Sequence, residues 1–334
     1  MSYAGICSSN NLQSNSDAYF NSVNLVQMRG YIERMSASGC GSVTTTTLEK
    51  PTVNLASLKE CTVPLENYFS LSGEASNADL FSWDRVDTGY ESYSDTAIGR
   101  FRSWRPVTWS TRVFPSMYLI AKGLTTSQMI ERLPKASKSM KFRFTARSKH
   151  QDPQVGAFDT ADVTVNFERM RGLRFSTSTR VMTLREGRQS KFYWKTGSTK
   201  QLTPWVEILI AEDTMPLETT FQYHLHEQQL KWTQLAVLPN RGVGFVTIPH
   251  DLNFAGDKTI LLMIRSNTGT GCEFFDVVVM TKKLYQTKQP TVFPTSRPLT
   301  GRPSKSPSQY PTRRPVTGRP SKSPTAFPTR RPAN

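Results

Sequence analysis

Two stretches of the 334-residue chain concentrate side chains able to hold an anion. Between Arg132 and Lys149 there are seven basic residues and no acidic one; between Arg169 and Lys195 there are eight, with only Glu186 inside the run. In Lys141–Ser148 (KFRFTARS) the apolar Phe142, Phe144 and Ala146 alternate with Lys141, Arg143 and Arg147. The side-chain period of a strand is two, so the cations share one face and the apolar groups the other. Cations interleaved with Phe142, Phe144, Phe175, Phe192, Tyr193 and Trp194 are the types that neutralise phosphates and stack on bases. The competing reading sends those aromatics into a core and leaves the cations as a solvated face. Lys141, Arg143, Arg147 and Lys149 are the first candidate phosphate contacts, followed by Arg171, Arg174 and Arg180.

Other chemistry finds less support. His224 and His226 stand two apart in a strand-like run, where both could ligate a metal, and His250, Asp251 and Asn253 lie further on. A cupin pattern needs a glutamate a few residues beyond the second histidine, whereas Glu227 follows at once, on the other face. The run from His226 to Leu230 ends in Leu where a metalloprotease helix needs its second histidine. GxSxG, Walker and GxGxxG motifs are absent. Asn267–Gly271 (NTGTG) fits a hairpin turn better than a phosphate loop, since no helix follows to present its N-terminus. The expectation is therefore a protein that is not an enzyme and holds neither metal nor cofactor.

The elements that position these residues follow from composition. From Leu284 to Asn334 there are ten basic residues, no acid, and 11 of the 21 prolines. That leaves 32 basic against 26 acidic residues before it, so +10 of the +16 net charge belongs to the tail and +6 to the body. Phe293–Gln309 and Tyr310–Ala326 agree at 12 of 17 positions, and a third copy opens at Phe327. A proline every three to five residues favours extended, polyproline-like coil, so residues 285–334 are expected to be a disordered tether or ligand. In it Arg302, Arg313, Arg314, Arg319, Arg330 and Arg331 are the candidate nucleic-acid contacts. Gly301-Arg302-Pro303 and Gly318-Arg319-Pro320 resemble the GRP core of AT-hooks, with Thr300 and Thr317 where the flanking arginine is expected. Ser306-Pro307 and Ser323-Pro324 have the form of proline-directed phosphosites.

Residues 1–50 are rich in Ser, Asn, Thr and Gly and read as a polar arm, with a short helix over Tyr19–Met35. Over residues 51–284, strand-like runs recur every 8–15 residues between Pro, Gly, Asn and Asp: Lys141–Ser148, Val163–Phe167, Leu173–Thr177, Arg180–Leu184, Lys191–Trp194, Val206–Ala211, Thr219–His226, Trp232–Leu238, Val243–Ile248, Thr259–Ser266 and Glu273–Thr281. Thr126–Leu133, stopped by Pro134, is the clearest helix. The fold class is all-β: an antiparallel β-sandwich or jelly roll with a polar N-terminal arm and a disordered, basic, Pro-rich C-terminal tail. Cys7, Cys40, Cys61 and Cys272 are widely spaced and contain no CxxC pair, which points away from zinc and from a disulfide framework, towards a reducing compartment. The N-terminus lacks the basic start and apolar run of a secretory signal, and no apolar stretch is long enough to span a membrane.

An all-β body, a polar arm, no catalytic signature and a basic tail together resemble the jelly-roll coat proteins of small icosahedral RNA or single-stranded DNA viruses. The resemblance is architectural and covers roughly residues 51–283. It implies a capsid subunit that assembles with copies of itself, packages genomic RNA or single-stranded DNA through basic residues, and resides in the virion and, during assembly, in the host cytoplasm or nucleus. The Met1 start implies a separate reading frame. The Lys-Ser-Pro repeat is similar to low-complexity proteins of diatoms and related algae, which implies an algal virus whose tail meets the host-cell surface. One departure from the family is that many such coats carry their arginines in the N-terminal arm, whereas here they are C-terminal. Two other readings stand beside this one: a non-capsid nucleic-acid-binding protein, including a viral movement protein, that uses the tail as its binding arm; and a cupin-like jelly-roll metalloenzyme or lectin using His224, His226 and His250.

Overall fold

The computed structural model describes residues 15–41, 49–65, 67–87, 99–124, 131–148, 156–180, 183–216, 225, 227, 229–250, 252, 259–281 and 284–285. The chain forms two compact units, Met1–Lys288 and Gln289–Asn334. The second lies outside the described residues, as do Lys149 and all six candidate arginines of the tail.

The elements of the first unit, in chain order, are α1 (Ser22–Ala37), β1 (Thr52–Val53), β2 (Cys61–Pro64), β3 (Tyr68–Ser72), β4 (Ala75–Ser76), β5 (Leu80–Arg85), β6 (Thr111–Phe114), α2 (Met117–Ala121), β7 (Lys138–Arg147), β8 (Phe158–Glu168), β9 (Arg174–Phe175), α3 (Thr177–Arg180), β10 (Leu184–Arg185), β11 (Gln189–Lys195), β12 (Trp205–Glu212), β13 (Thr233–Pro239), β14 (Val243–Thr247), β15 (Thr259–Ser266), β16 (Cys272–Thr281) and β17 (Leu284–Tyr285). Three sheets carry the architecture: six strands in the order β13-β12-β15-β16-β3-β6, four in the order β2-β8-β7-β5, and three in the order β14-β11-β9. Apart from the parallel β2–β8 contact, their pairings are antiparallel. The protein is all-β, as its strand spacing implied.

Alternation explains how the sheets face one another. Phe142, Phe144, Val165 and Phe167 from the four-stranded sheet meet Phe69, Phe114, Ile208, Ile264 and Phe274 from the six-stranded sheet in one core. Phe69 is fully buried at its centre, 4.8 Å from the Phe114 ring and 5.7 Å from Phe142. Phe175, Phe192, Trp194 and Val246 extend the same core beneath the three-stranded sheet. The central strands of the large sheet are buried on both sides. Ile260, Leu262 and Ile264 enter the main core, while Leu261 and Met263 enter a second cluster with Trp104, α2 and Phe275. Near-continuous apolar runs such as Ile260–Ile264 are the sequence mark of that double burial.

Four expectations are corrected. Cys61 in β2 and Cys272 in β16 form a disulfide across 211 residues that ties the two large sheets together, so these cysteines are not reduced; Cys40 is free and exposed. Pairing at that separation depends on which strands face each other, which spacing does not reveal. Residues 126–130 of the expected Thr126–Leu133 helix lie outside the described residues, and the remainder is not helical, because Arg132 bridges to Arg100 in extended conformation. In the expected strand Arg180–Leu184, Arg180 instead ends the helical turn Thr177–Arg180 and Leu184 opens β10, while residues 181–182 lie outside the described residues. Finally, of β1 to β6, which the strand-like runs omitted, β2 and β5 supply both edges of the four-stranded sheet, β3 and β6 supply one end of the six-stranded sheet, and β1 and β4 pair with each other. The Thr219–His226 run, including His224 and His226, lies outside the described residues except for Leu225.

The hairpin expected at Asn267–Gly271 is present between β15 and β16. Glu273 holds it, its carboxylate accepting from the N–H groups of Thr268 and Gly269. Gly271 has φ +75°, and a Cβ there would lie 2.9 Å from the Ser72 carbonyl oxygen, so no other residue fits without a shift.

Candidate nucleic-acid interface

The two basic stretches fold into surfaces with opposite fates. On β7, Lys141, Arg143 and Arg147 share the outer face of the four-stranded sheet while Phe142, Phe144 and Ala146 are buried, as the alternation required. Lys141 is exposed. Arg143 is committed elsewhere: its Nε and one terminal nitrogen donate to the two oxygens of Asp162 on β8, at 2.6 and 2.9 Å. That hydrogen bonding raises the guanidinium pKa. Arg147 donates to the Phe20 carbonyl at 2.9 Å, and burial lowers its pKa.

The cover over this face is the N-terminal arm. Asn21 caps α1 by accepting from Asn24 N–H. The buried Ser22 donates its N–H to Asp84 on β5 at 3.1 Å, and Asp17 pairs with Arg102 at 3.1 Å. Arg29 lies over the Phe158 ring at 5.7 Å. Tyr19, desolvated between Asp84 and Asp17, has its phenol pKa raised. The arm therefore engages Arg147 and Asp162 engages Arg143, while Lys141 stays exposed.

The second stretch builds an open surface. In the β9–β11–β14 sheet Phe175, Phe192, Trp194 and Val246 point inward. The outward set is Arg174 on β9, Gln189, Lys191, Tyr193 and Lys195 on β11, and Val243, Phe245 and Thr247 on β14. Register pairs Lys191 with Phe245, Tyr193 with Val243, and Lys195 with Arg174. Lys191 Nζ stands 5.0 Å from the Tyr193 ring centroid and 5.5 Å from that of Phe245. Tyr193 is 38% exposed and Phe245 56%. None of these eight outward residues is acidic. Arg171, exposed just before β9, has its carbonyl fixed by Ser198 N–H at 2.9 Å. Arg180 closes α3, and its side chain lies outside the described residues.

Of the predicted residues, the structure thus gathers Arg174 with Lys191 and Lys195 on one face and separates them from Arg143 and Arg147. Of the six aromatics interleaved with cations, only Tyr193 reaches solvent. Phe245 completes the face from β14, 52 residues beyond Tyr193, and its run Val243–Thr247 (VGFVT) carries no polar-apolar alternation that would mark it as facing outward.

A separate polar cluster lies by α2. Fully buried Glu131 accepts from Arg112 at 2.6 Å, Trp104 Nε1 at 2.9 Å and Ser116 N–H at 2.8 Å; Arg112 also donates to the Trp83 carbonyl. Glu227 accepts from Met117 N–H at 2.6 Å and borders a cleft of about 330 Å³ with Trp104, Trp109 and Arg112. Burial pushes its carboxyl pKa up to about 7. Among the described residues, no three His, Cys, Asp or Glu side chains are grouped as a metal site requires. His250 is exposed, with its ring against Gly187.

No family model and no curated protein matches the chain. Among solved structures it is similar to an AA10 lytic polysaccharide monooxygenase from Streptomyces lividans, at 16% identity over 30% of this chain and 58% of that one, TM-score 0.21. It is also similar to the N-terminal four Ig domains of Dscam1 isoform 1.9 (10% identity, 73% and 48% covered, TM-score 0.20) and to the fibronectin(III)-like modules of Clostridium thermocellum CbhA (8% identity, 70% and 94% covered, TM-score 0.21). The chain spans little more than half of the monooxygenase and under half of the Dscam1 fragment. None of the three is a viral coat protein, and at these scores none carries an argument about function.

Proposed function

We propose that this protein is a coat-type subunit: a jelly-roll-like β-sandwich that assembles with copies of itself and neutralises the phosphates of a packaged RNA or single-stranded DNA. The observation that carries the reading is the open β9–β11–β14 face, where Lys191 and Lys195 stand beside Arg174 and the outward residues of the three strands include no acid. Such cations act collectively, each releasing about one counterion on phosphate binding, so that affinity falls steeply with salt. The six-stranded sheet supports the jelly-roll reading, since β16 near one end of the folded unit pairs with β3 near the other. Apolar side chains left in solvent, such as Ile32 at 61% and Leu55 at 70%, support self-association.

Negative-stain electron microscopy and light scattering of the purified chain, with and without nucleic acid, provide the test. Closed particles are the expected outcome. A monomer under every condition removes the coat reading, and salt-sensitive binding by that monomer favours the non-capsid nucleic-acid-binding alternative, which the same face would serve.

A further inference from the structure

The outer face of the three-stranded sheet holds more than charge. We infer that it is a stacking platform for unpaired bases, so that the nucleic acid bound there is single-stranded. This rests on the proposed phosphate-neutralising role of the same face and names the class of strand that it takes.

Tyr193 and Phe245 come from adjacent strands and are offset by two residues in register, since Lys191 opposes Phe245 and Tyr193 opposes Val243. Diagonal neighbours of this kind lie within reach of a common extended ligand. The backbones beneath them are fixed by five register pairs between β11 and β14, and Trp194 and Phe192 anchor the sheet from below. The rings are therefore held in place rather than carried on a loop. With Val243, which opposes Tyr193, the two rings form one contiguous exposed apolar patch rather than scattered single residues.

Charge selects what covers them. Among the outward residues of its three strands the charged ones, Arg174, Lys191 and Lys195, are all basic. An apolar protein partner gains nothing from this, whereas a nucleic acid strand offers rings for the aromatics and phosphates for the cations. Lys191 lies against both rings. Its four-carbon stem lets the ammonium move to a phosphate when bases take over the ring faces. A duplex keeps its base faces stacked internally and shows only edges and backbone, so it can use the cations but not the rings. Unpaired bases use both.

The test uses the intact chain with two probes, a labelled oligo(dT) strand and that strand annealed to oligo(dA), titrated at matched salt. Tighter binding of the single strand is expected. Tyr193→Ala and Phe245→Ala should each weaken it roughly tenfold, leaving duplex binding unchanged. Both positions are exposed, and Tyr193→Phe, which keeps the ring, should restore the affinity. Equal binding of the two probes, or alanine variants that bind the single strand normally, overturns the inference while leaving the phosphate-binding role intact. Absence of any salt-dependent binding by the unaltered chain overturns both. If the alanine variants instead abolish self-association in the absence of nucleic acid, the face is a contact between copies and the inference falls.

Discussion

The outer faces of the four-stranded and three-stranded sheets begin from the same pattern, cations alternating with buried aromatics, and end with different surfaces. On β7 both arginines of the outer face have acquired partners: the Asp162 carboxylate accepts twice from Arg143, and the arm before α1 holds Arg147. On β11 the neighbours across the sheet are Phe245, Val243 and Arg174, which leave Lys191 and Lys195 to solvent and to the rings beside them. A basic strand is thus a candidate for phosphate only when its cross-strand partners and its covering elements are not acidic or polar enough to claim it.

That contrast can be broken most forcefully at the disulfide. Cys61 ties the covered sheet to β16 of the six-stranded sheet, and closing a 211-residue loop contributes roughly 5 kcal/mol in the loop-entropy picture. Urea unfolding of C61S, or of the protein under reductant, should show a loss of that order. An unchanged midpoint would mean that the sheets are held together without the bond.

A smaller, pH-dependent effect belongs to Glu227. Its folded-state pKa is raised to about 7 from an ordinary 4.5, chiefly by burial, so the folded protein binds the proton more tightly than the unfolded chain. Its contribution is fully present below about pH 4.5 and is lost as the pH rises to about 7, by up to a few kcal/mol. E227Q keeps an acceptor for Met117 N–H and should flatten the decline in melting temperature between those values. Nucleic-acid affinity of the folded protein, which the open face carries, should not follow the stability change.

Smaller again, R147Q should cost about 1–3 kcal/mol in chemical denaturation, because a partly buried charged hydrogen bond to Phe20 is lost, and should leave nucleic-acid affinity unchanged. K191Q should do the reverse. Its stability should stay within about 0.5 kcal/mol, and the slope of log affinity against log salt should fall by about 0.7 for a single strand. The subtlest change is D162N, which frees Arg143 at the edge of the covered face and should steepen that slope by a similar amount. If R147Q weakens binding as much as K191Q, the two faces are functionally alike and the distinction between them fails.

How much was legible in advance follows from the range of each signal. Period-two alternation fixed which side of β7 and β11 is buried, since that depends only on neighbouring residues. The hairpin at Asn267–Gly271 was legible for the same reason. The end of the expected Thr126–Leu133 helix, from Glu131 on, is not helical because Glu131 is needed elsewhere: it is the buried counter-charge of Arg112 and accepts from Ser116 N–H before α2, and extended backbone delivers it there. Tyr193 could be named from its run, but Phe245 could not be joined to it, because 52 residues and two intervening strands, β12 and β13, separate them.

The sequence by itself determined the all-β class, the inward and outward sets of individual strands, and the division of charge between a body of +6 and a proline-rich repeat of +10. These are local properties, set by spacing and composition. Only the tertiary structure decided which cations remain available, that Cys61 meets Cys272, and that Tyr193, Phe245 and Lys191 share one surface. Each of those depends on which strands lie side by side, and that is fixed by burying all the apolar faces at once rather than by any single segment.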